Sequence, residues 1–354
     1  MNSRRTRLRS ALARARLDAF ITANRPNVRY VCGFSGSSGA LLVTDGFAAL
    51  FTDSRYTLQA SGEVEEAAVE TVAGSPLKHA FLAAPLGARV GFECDHMSVA
   101  AHQELSCQSG GRVLVPTTGL IESLRVVKDA AEIDRIAASL RLTSESFEAG
   151  LAAMGEGVRE TEVAAVIEDR MRRLGADGPA FESIVASGPR GALPHGRASA
   201  KKMIAGEAVV VDIGAMLEGY ASDMSRTVFL GEAEARGRRV YAAVLEAVRR
   251  AEGVVHAGAA AAGIHAAARG ALEEAGFGDE IYRHGTGHGV GLEVHEAPRL
   301  SATGKDVLAA GMVLTIEPGV YVPGWGGVRI EDVVLVEETG CRVLTPTDKE
   351  IRAV

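Results

Sequence analysis

The sequence predicts a two-domain α/β protein, and three observations lead to that prediction. The chain has 354 residues, more than one hydrophobic core usually organises. Its first third alternates short apolar strands with helical segments. The remainder opens on a long amphipathic helix and then alternates helices with strand pairs. We therefore expect one domain over residues 1–123 and a second over residues 124–354.

The first domain should contain a hairpin followed by further strands. An arginine-rich helical segment leads into the strand Ala19–Thr22, and Val28–Cys32 is predicted as a strand before a Gly/Ser turn. The apolar runs Ala40–Val43 and Phe47–Thr52 flank a Thr-Asp-Gly turn, which is typical of a hairpin. Two later strands are predicted at Arg89–Glu93 and Arg112–Pro116.

The second domain is predicted to begin with a capped helix. Asp129 and Glu132 have the spacing of a capping box, in which each side chain accepts the backbone N–H of the other. Apolar residues then follow at helical spacing at Ile133, Ile136 and Leu140. Three more helices are predicted at Glu160–Leu174, Arg238–Ala257 and Gly263–Ala275.

Composition excludes several classes of function. A formal net charge of −7 argues against a nucleic-acid partner. The alanine-rich stretch 257–268 is shorter than the roughly 20 apolar residues that a membrane span needs, so no membrane partner is expected. The four cysteines show no C-x-x-C spacing. We expect a cytoplasmic protein in a reducing compartment.

Four carboxylates lie in or beside apolar strands of the second domain. Asp212 lies near the end of one such strand, and Asp223 follows after a turn. Closer to the C-terminus, Glu317 ends a second apolar strand and Glu331 lies on the strand after it. A carboxylate in an apolar run is costly unless it is paired or bound to a metal. The near-repeat predicts two related halves that face each other across one site.

Between the two carboxylate pairs lies a segment rich in glycine and histidine. From His284 to Glu296, alternate glycines exclude a helix and therefore the helical H-E-x-x-H arrangement. We expect a loop that contains His288, followed by a strand over 290–294 that directs His295 to its other face. His195 lies in a separate loop.

Four carboxylates and the His288 imidazole form a donor set dominated by oxygen. Such a set suits two adjacent divalent ions held about 3.5–4 Å apart. We predict Mn²⁺ as the occupant, with Co²⁺ or Zn²⁺ as alternatives. Each residue alone has an ordinary structural explanation, but five of them in one domain favour a metal site.

These motifs resemble those of the pita-bread metallopeptidases, in the branch of Xaa-Pro dipeptidases and Xaa-Pro aminopeptidases. The run from His284 to Glu296 resembles the proline-peptidase signature, and the segments around the four carboxylates resemble the remaining ligand motifs in the same order. Tyr30–Gly39 and Thr52–Tyr56 resemble the N-terminal domain of that family. The resemblance implies a creatinase-like α/β domain followed by a pita-bread α+β domain with pseudo-twofold halves.

The resemblance also implies residue roles. The implied ligands of a dinuclear centre are Asp212, Asp223, His288, Glu317 and Glu331, of which Asp223 and Glu331 contact both ions. His195, His284 and His295 are implied to line the substrate site, and Arg329 to support the ligands. We expect His295 to donate to the developing oxyanion and Glu317 to transfer a proton. Tyr321 is predicted as a wall of the pocket and Arg299 as a partner of the substrate carboxylate.

We therefore predict an exopeptidase that hydrolyses the Xaa-Pro bond of proline-containing dipeptides or short peptides. In strict dipeptidases of that family, an arginine lies between the second signature histidine and the ligand glutamate. Here the arginine between His295 and Glu317 is Arg299, which lies close to His295 rather than midway. An Xaa-Pro aminopeptidase that prefers tripeptides and longer peptides is therefore the alternative. A methionine aminopeptidase lacks such an N-terminal domain, and creatine hydrolysis would leave the ligand set unexplained. A non-enzymatic binding protein would be expected to have lost ligands. The Gly/Ser-rich loop Gly33–Gly39 and the resemblance predict a homodimer.

Overall fold

The chain folds into two units, Met1–Arg125 and Val126–Val354. The structure is a computed structural model that describes residues 4–282 and 284–354. The boundary predicted after Ser123 falls inside the short helix that ends the first unit.

The first unit is built on a six-stranded mixed sheet in the order β4-β3-β2-β1-β5-β6. Its strands are β1 (Ala19–Thr22), β2 (Gly39–Thr44), β3 (Ala48–Thr52), β4 (Ala68–Thr71), β5 (Arg89–Glu93) and β6 (Val113–Thr117). Its helices are α1 (Arg4–Ala15), α2 (Arg25–Cys32), α3 (Thr57–Glu63), α4 (Pro76–Ala83), α5 (Val99–Cys107) and α6 (Glu122–Arg125). The predicted hairpin is formed by β2 and β3, which pair antiparallel.

The strand predicted at Val28–Cys32 is wrong, because these residues form the second half of α2. Pro26 lies in the first turn of this helix, where its missing N–H costs no hydrogen bond. Val28, Val31 and Cys32 then recur at helical spacing and are all buried. The position of the proline and this burial outweigh the strand preference of the two valines.

The described residues of the second unit, 126–282 and 284–354, form four long helices and fourteen strands. Its helices are α7 (Ala130–Ala153), α8 (Glu160–Arg173), α9 (Ala235–Gly253) and α10 (Ala261–Glu274). Its first strands are β7 (Gly178–Pro179), β8 (Ile184–Ser187), β9 (Ala208–Ile213), β10 (Ala215–Leu217), β11 (Tyr220–Ala221) and β12 (Met224–Phe229). The later strands are β13 (Gly287–Gly289), β14 (Glu296–Leu300), β15 (Val313–Ile316), β16 (Gly319–Val322), β17 (Gly326–Arg329), β18 (Asp332–Glu337), β19 (Gly340–Val343) and β20 (Arg352–Ala353).

The helices of this unit agree closely with the sequence pattern. The predicted capping box at α7 is confirmed: Asp129 Oδ1 accepts the Glu132 N–H at 2.9 Å, and Glu132 Oε2 accepts the Asp129 N–H at 3.0 Å. α9 ends at Gly253 rather than at Ala257, because glycine weakens the last turn of a helix. Within the described residues, no helix is long and apolar enough to span a membrane.

The second unit repeats one arrangement of strands. β9 pairs antiparallel with β12, and the chain between them forms the small hairpin β10–β11. β15 pairs antiparallel with β18 in the same way, and the hairpin β16–β17 lies between them. A helix pair precedes each set, α7–α8 in the first half and α9–α10 in the second. The predicted pair of related halves is therefore present.

Each half buries its own apolar cluster between helices and strands. In the first half, Phe147 and Ile167 of the helices pack with Val209 and Val211 of β9. The cluster of the second half joins the helices α9 and α10 to β15 and β18. Both sheets are thus fixed from one side, and the ends of their central strands carry the predicted ligands.

A buried acid lies at the end of β5 in the first unit. Glu93 is 5% exposed; its Oε2 accepts the Thr22 hydroxyl at 2.7 Å, and its Oε1 accepts Asn27 Nδ2 at 2.5 Å. Burial is the largest influence on this carboxyl and raises its pKa from the ordinary 4.5 to about 7, although both hydrogen bonds oppose the rise.

Glu93 should therefore make the stability of the first unit depend on pH. Between about pH 4.5 and 7 the folded state retains a proton that the unfolded chain releases, so the free energy of unfolding should fall as pH rises, by at most about 1.4 kcal/mol per pH unit. Glu93→Gln should remove this slope in chemical denaturation measured across that range. Glu104→Gln, on α5 and exposed, is the control and should retain it. Equal slopes in the two variants would contradict the assignment.

Candidate metal centre and substrate cavity

A cavity of about 720 Å³ lies in the second unit and is lined by the predicted ligands. This volume is within the range of small-molecule sites, roughly 300–1,000 Å³. The sequence-predicted residues that line it are Asp212, Asp223, His288, Glu317, Glu331, His195, His284, His295, Arg299 and Arg329. The structure therefore brings together residues that are far apart in the chain.

Strand pairing places the four acids. Asp212 lies on β9, and Asp223 immediately precedes β12, the strand with which β9 pairs. Glu317 directly follows β15, and Glu331 directly precedes its partner β18. The same structural position in each half thus supplies two acids, as the near-repeat in the sequence predicts.

His288 lies in β13 between two glycines that allow its neighbouring strands to approach. A Cβ atom on Gly287 would lie 1.9 Å from the Thr315 carbonyl oxygen, and one on Gly289 would lie 2.0 Å from the Ala297 carbonyl oxygen. Real Cβ atoms essentially never come so close, so any larger residue would push these strands apart. The two glycines therefore allow the close strand packing that fixes the position of His288.

The imidazole of His288 faces the acids with an acceptor nitrogen. Its Nδ1 donates to the Gly289 carbonyl oxygen at 3.0 Å, which fixes the tautomer. Its Nε2 then lies 3.6 Å from both Asp223 Oδ2 and Glu317 Oε1. Burial is the main reason that its pKa falls from 6.5 to about 4, so the ring is neutral at pH 7. A lone pair and two carboxylate oxygens that converge in this way are suited to a shared cation.

Three of the acids, Asp223, Glu317 and Glu331, have raised pKa values. Burial is the largest cause for each of these three; it raises the pKa of Glu317 to about 8. The pKa values of Asp223 and Glu331 lie well above the ordinary range, because burial is reinforced by repulsion from neighbouring carboxylates. A donor atom from each of Asp223, His288 and Glu331 lies within 4.8 Å of the other two. In their ionised forms these acids would carry more negative charge than the guanidinium of Arg329 balances.

Arg329 supplies the positive charge inside this cluster. The guanidinium is buried; its Nη2 donates to Asp212 Oδ2 at 2.5 Å and its Nε to the Ser225 hydroxyl at 2.9 Å. The same serine hydroxyl donates to Glu331 Oε2 at 2.7 Å. Asp212 Oδ1 is buried and has no hydrogen-bond partner among the described residues. One arginine leaves this oxygen and the other acids available, so the donor set fits divalent cations.

The strand predicted over 290–294 is wrong. β13 ends at Gly289, β14 begins at Glu296, and the residues between them form the turn of an antiparallel hairpin. A buried ion pair closes the turn: Lys128 Nζ lies 3.2 Å from Glu296 Oε2. The other carboxylate oxygen of Glu296, Oε1, accepts the Glu293 N–H at 3.0 Å. The apolar residues of the turn alternate because they pack in the interior, and not because they form a strand.

His295 ends that turn beside His288, with 4.4 Å between the ring centroids. Burial is the main cause that lowers its pKa below the ordinary 6.5. His284 is further along the cavity wall; its Nδ1 contacts its neighbouring carbonyl at 2.7 Å, and burial again lowers its pKa. Both rings are therefore neutral at pH 7, and each has one N–H to donate.

Arg299 lies directly opposite His288 in the pairing of β13 with β14. Side chains that are paired in an antiparallel ladder lie on the same face of the sheet. The guanidinium consequently lines the same cavity as the imidazole. Arg299 therefore lines the cavity together with the acids, although it lies only four residues after His295 in the chain.

Tyr321 differs from the prediction, because it is not among the described residues that line the cavity. Its pairing with Gly327 in the β16–β17 hairpin turns the hydroxyl towards Arg329 Nη1, which donates to it at 2.8 Å. The same hydroxyl lies 3.5 Å from His284 Nε2. Tyr321 thus contacts two lining residues from behind, and a direct contact with substrate stays a prediction.

Several residues in and around the cavity were not predicted from the sequence. Ser225 links Arg329 to Glu331, and the outer lining includes Phe181, Glu182, Ile184, Arg197 and Ser301. Arg197 Nε lies 2.9 Å from Glu182 Oε2 at the exposed rim. The position of Arg197 two residues after His195 was the one signal available for it in the sequence.

The fold and the site define a two-domain metallopeptidase with a creatinase-like first unit and a pita-bread second unit. Residues 134–338 match the model of metallopeptidase family M24, and residues 4–127 match the creatinase/prolidase N-terminal domain. This chain belongs to metallopeptidase family M24. The family and the fold predicted from the sequence are confirmed.

Relatives of this chain match it over nearly its full length. An Xaa-Pro dipeptidase of Pyrococcus furiosus is 37% identical over 337 residues, which cover 95% of each chain. Among solved structures, an Xaa-Pro dipeptidase from Bacillus anthracis superposes with a TM-score of 0.95 at 37% identity and 99% coverage of each chain. An X-Pro aminopeptidase from Thermotoga maritima superposes with a TM-score of 0.90 at 35% identity, covering 98% of this chain and 100% of that one.

The electrostatics predict that binding of a divalent cation releases protons. In the cation-free protein at pH 7, Glu317 with a pKa of about 8 retains a proton, and His288 is already neutral. The pKa values of Asp223 and Glu331 are also raised, mainly by burial. A cation must displace the proton on Glu317, so about one proton or more should be released per chain and affinity should rise with pH up to about 8. Calorimetry of Mn²⁺ binding in two buffers of different ionisation enthalpy measures this number. Identical heats in both buffers would contradict it.

Proposed function

We propose that this protein hydrolyses the Xaa-Pro bond of dipeptides, and of short peptides, at a centre of two divalent ions. One observation carries the proposal: four buried or half-buried acids and a neutral imidazole face a cavity that is also lined by Arg299, on the face of His288. The names of the relatives, Xaa-Pro dipeptidase above all, support the same activity.

The ions would be held by Asp212, Asp223, His288, Glu317 and Glu331, all of which line the cavity. When bound, the ions would polarise the scissile carbonyl and lower the pKa of water enough to supply a nucleophile near neutral pH. Mn²⁺ is the proposed occupant, with Co²⁺ and Zn²⁺ as alternatives, because carboxylate oxygens outnumber nitrogen in the donor set.

The chemistry of the Xaa-Pro bond determines what the side chains must do. The bond is a tertiary amide without an N–H, and its nitrogen must gain a proton before it leaves. Glu317, once bound cations have displaced its own proton, takes the proton released when water attacks and delivers it to the proline nitrogen. His295, neutral and next to His288, donates its N–H to the carbonyl oxygen as negative charge develops there.

Arg329 and His284 organise the other side of the centre. Arg329 fixes Asp212 through Nη2 and holds the Pro194 carbonyl through Nη1 at 2.9 Å, which places His195 at the cavity. His284 and His195 are proposed to contact the peptide from this side. The planar guanidinium of Arg329 thus fixes both Asp212 and the loop at Pro194.

The dipeptidase activity rests on Arg299. A dipeptide ends in a free carboxylate one residue after the scissile bond, and a guanidinium in the cavity can form a charge-assisted, bidentate pair with it. An extended peptide has no carboxylate at that position. The similarity to the Thermotoga maritima X-Pro aminopeptidase supports the alternative, an Xaa-Pro aminopeptidase that prefers tripeptides and longer peptides.

The proposed function is tested by a comparison of three substrates with the Mn²⁺-loaded protein. We expect Xaa-Pro to be hydrolysed with the highest kcat/KM, Xaa-Pro-Yaa with a lower value, and Xaa-Ala most slowly. A higher kcat/KM for Xaa-Pro-Yaa would favour the aminopeptidase. Failure to hydrolyse either proline peptide would refute the proposed function.

Glu331→Ala and His295→Ala form a matched pair that separates metal binding from catalysis. Glu331→Ala and His288→Ala should each lose bound metal together with activity. Each variant removes one of the three donors, from Asp223, His288 and Glu331, that lie within 4.8 Å of one another. His295→Ala should keep the metal and lower kcat by about 10²–10³-fold, the effect of losing one oxyanion donor. Metal analysis beside steady-state kinetics measures both. Loss of metal in His295→Ala would show that this ring has another role.

Arg299→Ala should weaken dipeptides selectively. Loss of a charge-assisted pair costs roughly 1.5–3 kcal/mol, so kcat/KM for Xaa-Pro should fall about 10–100-fold while that for Xaa-Pro-Yaa changes little. Arg299→Lys keeps the charge but lacks the two parallel N–H donors of the guanidinium. Its kcat/KM for Xaa-Pro should lie between those of the wild type and Arg299→Ala. An unchanged ratio of the two substrates would refute the carboxylate role.

We further propose that the protein is a cytoplasmic homodimer. The proposal is supported by the family resemblance and by the Gly/Ser-rich loop Gly33–Gly39. Light scattering at working concentration should give twice the mass of one chain. The mass of a single chain would refute the dimer.

A further inference from the structure

Glu160 is a fully buried acid that the proposed mechanism does not use. It is the first residue of α8, its exposure is 0%, and it does not line the cavity. A buried carboxylate is costly unless hydrogen bonds and charge replace the water it has lost. Its partners therefore indicate what this carboxylate holds in place.

All five donors to Glu160 come from one segment, Ser187–Ser199, which we name the His195 loop. Oε1 accepts the N–H and the hydroxyl of Ser187 at 2.8 and 2.9 Å. Oε2 accepts the N–H and the hydroxyl of Ser199 at 3.0 and 2.7 Å, and Arg190 Nε at 3.0 Å. One carboxylate thus ties together the first residue, the last residue and a middle residue of the loop.

The His195 loop reaches the catalytic centre. His195 and Arg197 both line the cavity, and the carbonyl of Pro194 accepts Arg329 Nη1 at 2.9 Å. The short 3-10 helix Gly188–Ala192 packs on β17, the strand that carries Arg329. A Cβ atom on Gly327 there would lie 2.1 Å from the Gly191 carbonyl oxygen. The loop is therefore held at two places: by hydrogen bonds to Glu160 and by packing against β17.

We propose that Glu160 is a positioning residue that holds the His195 loop, and through it the His195 imidazole, in the geometry required for hydrolysis. The inference rests on the proposed function, since it assigns His195 a contact with the peptide. It adds a residue outside the cavity to those that determine turnover.

A carboxylate is required at this position because both of its oxygens accept a backbone N–H. In Glu160→Gln the amide can be placed in two orientations, and in each the NH₂ group faces the N–H of either Ser187 or Ser199. Two donors then oppose each other in a buried site, and one end of the loop is released. The variant preserves size and shape, so it removes the anchor without creating a cavity.

The framework around Glu160 is held independently of it. Val163 and Ile167 of α8 pack with Val185 of β8 and Val209 of β9 in the apolar cluster of the first half. The Glu160 N–H also donates to the Lys201 carbonyl oxygen at 3.1 Å, a bond that Gln retains. Loss of the carboxylate should therefore loosen the loop rather than unfold the domain.

The experiment compares full-length Glu160→Gln with Glu162→Gln on the same helix. Glu162 is the exposed capping residue that accepts the Arg159 N–H at 2.7 Å, and a glutamine oxygen can accept the same bond. Hydrogen exchange of the Mn²⁺-loaded proteins should be faster in the His195 loop of Glu160→Gln alone. Bound metal should be unchanged, and kcat for Xaa-Pro should fall on the order of 10²-fold, with a smaller effect on KM.

A double-mutant cycle with His195→Ala separates positioning from a general loss of structure. If Glu160 acts through His195, adding Glu160→Gln to His195→Ala should lower kcat by less than about twofold further. Multiplication of the two single effects would overturn the proposal. Should Glu160→Gln not fold, Ser199→Ala removes one donor and keeps the backbone bond, and it should give smaller changes in the same direction.

Unchanged exchange in the loop, or loss of metal with activity, would likewise overturn the proposal. The exchange measurement needs no substrate, so it decides the anchoring role separately from the activity. A wild-type protein that does not cleave Xaa-Pro would refute the proposed function, while faster loop exchange in Glu160→Gln would still support the anchor.

Discussion

The burial of several carboxylates beside one guanidinium is the constraint on which the second unit depends. Arg329 pairs with Asp212, but burial and neighbouring carboxylates, Asp212 among them, still raise the pKa values of Asp223, Glu317 and Glu331. Buried like charges favour unfolding unless a proton or a cation balances them. The same arrangement of oxygen and nitrogen donors is suited to divalent cations, which would balance that charge.

The duplicated halves explain how such a centre can be built with few specialised parts. Each half places two acids at the ends of one antiparallel strand pair, and an apolar cluster on the helix side fixes those strands. Asymmetry then provides the chemistry. The β13–β14 hairpin adds His288, His295 and Arg299 from the second half alone, whereas the loop anchored by Glu160 adds His195 from the first. The four acids come from the repeat, whereas His288, His295, Arg299 and His195 come from the segments in which the halves differ.

The sequence was informative where a residue's function is visible in its immediate neighbours. Acids in apolar strands and the capping box at Asp129 were predictable, because burial cost and helix-end geometry are local. The helix α2 and the turn after Gly289 were not, since tertiary packing decided between two local patterns there. Long-range pairing hid two further features: the register that sets Arg299 opposite His288, and the donors that converge on Glu160. No spacing in the sequence encodes contacts between distant segments.

We propose that two divalent ions, held by the acids of the cavity and His288, make this chain a proline-specific peptidase. The most direct test is a titration of chelator-treated protein with Mn²⁺, in which bound ions are counted while hydrolysis of Ala-Pro is followed. We expect no hydrolysis without metal, and activity that rises to its limit as two ions bind per chain. Full activity in the metal-free protein, or a protein that binds two ions and leaves Ala-Pro intact, would contradict it.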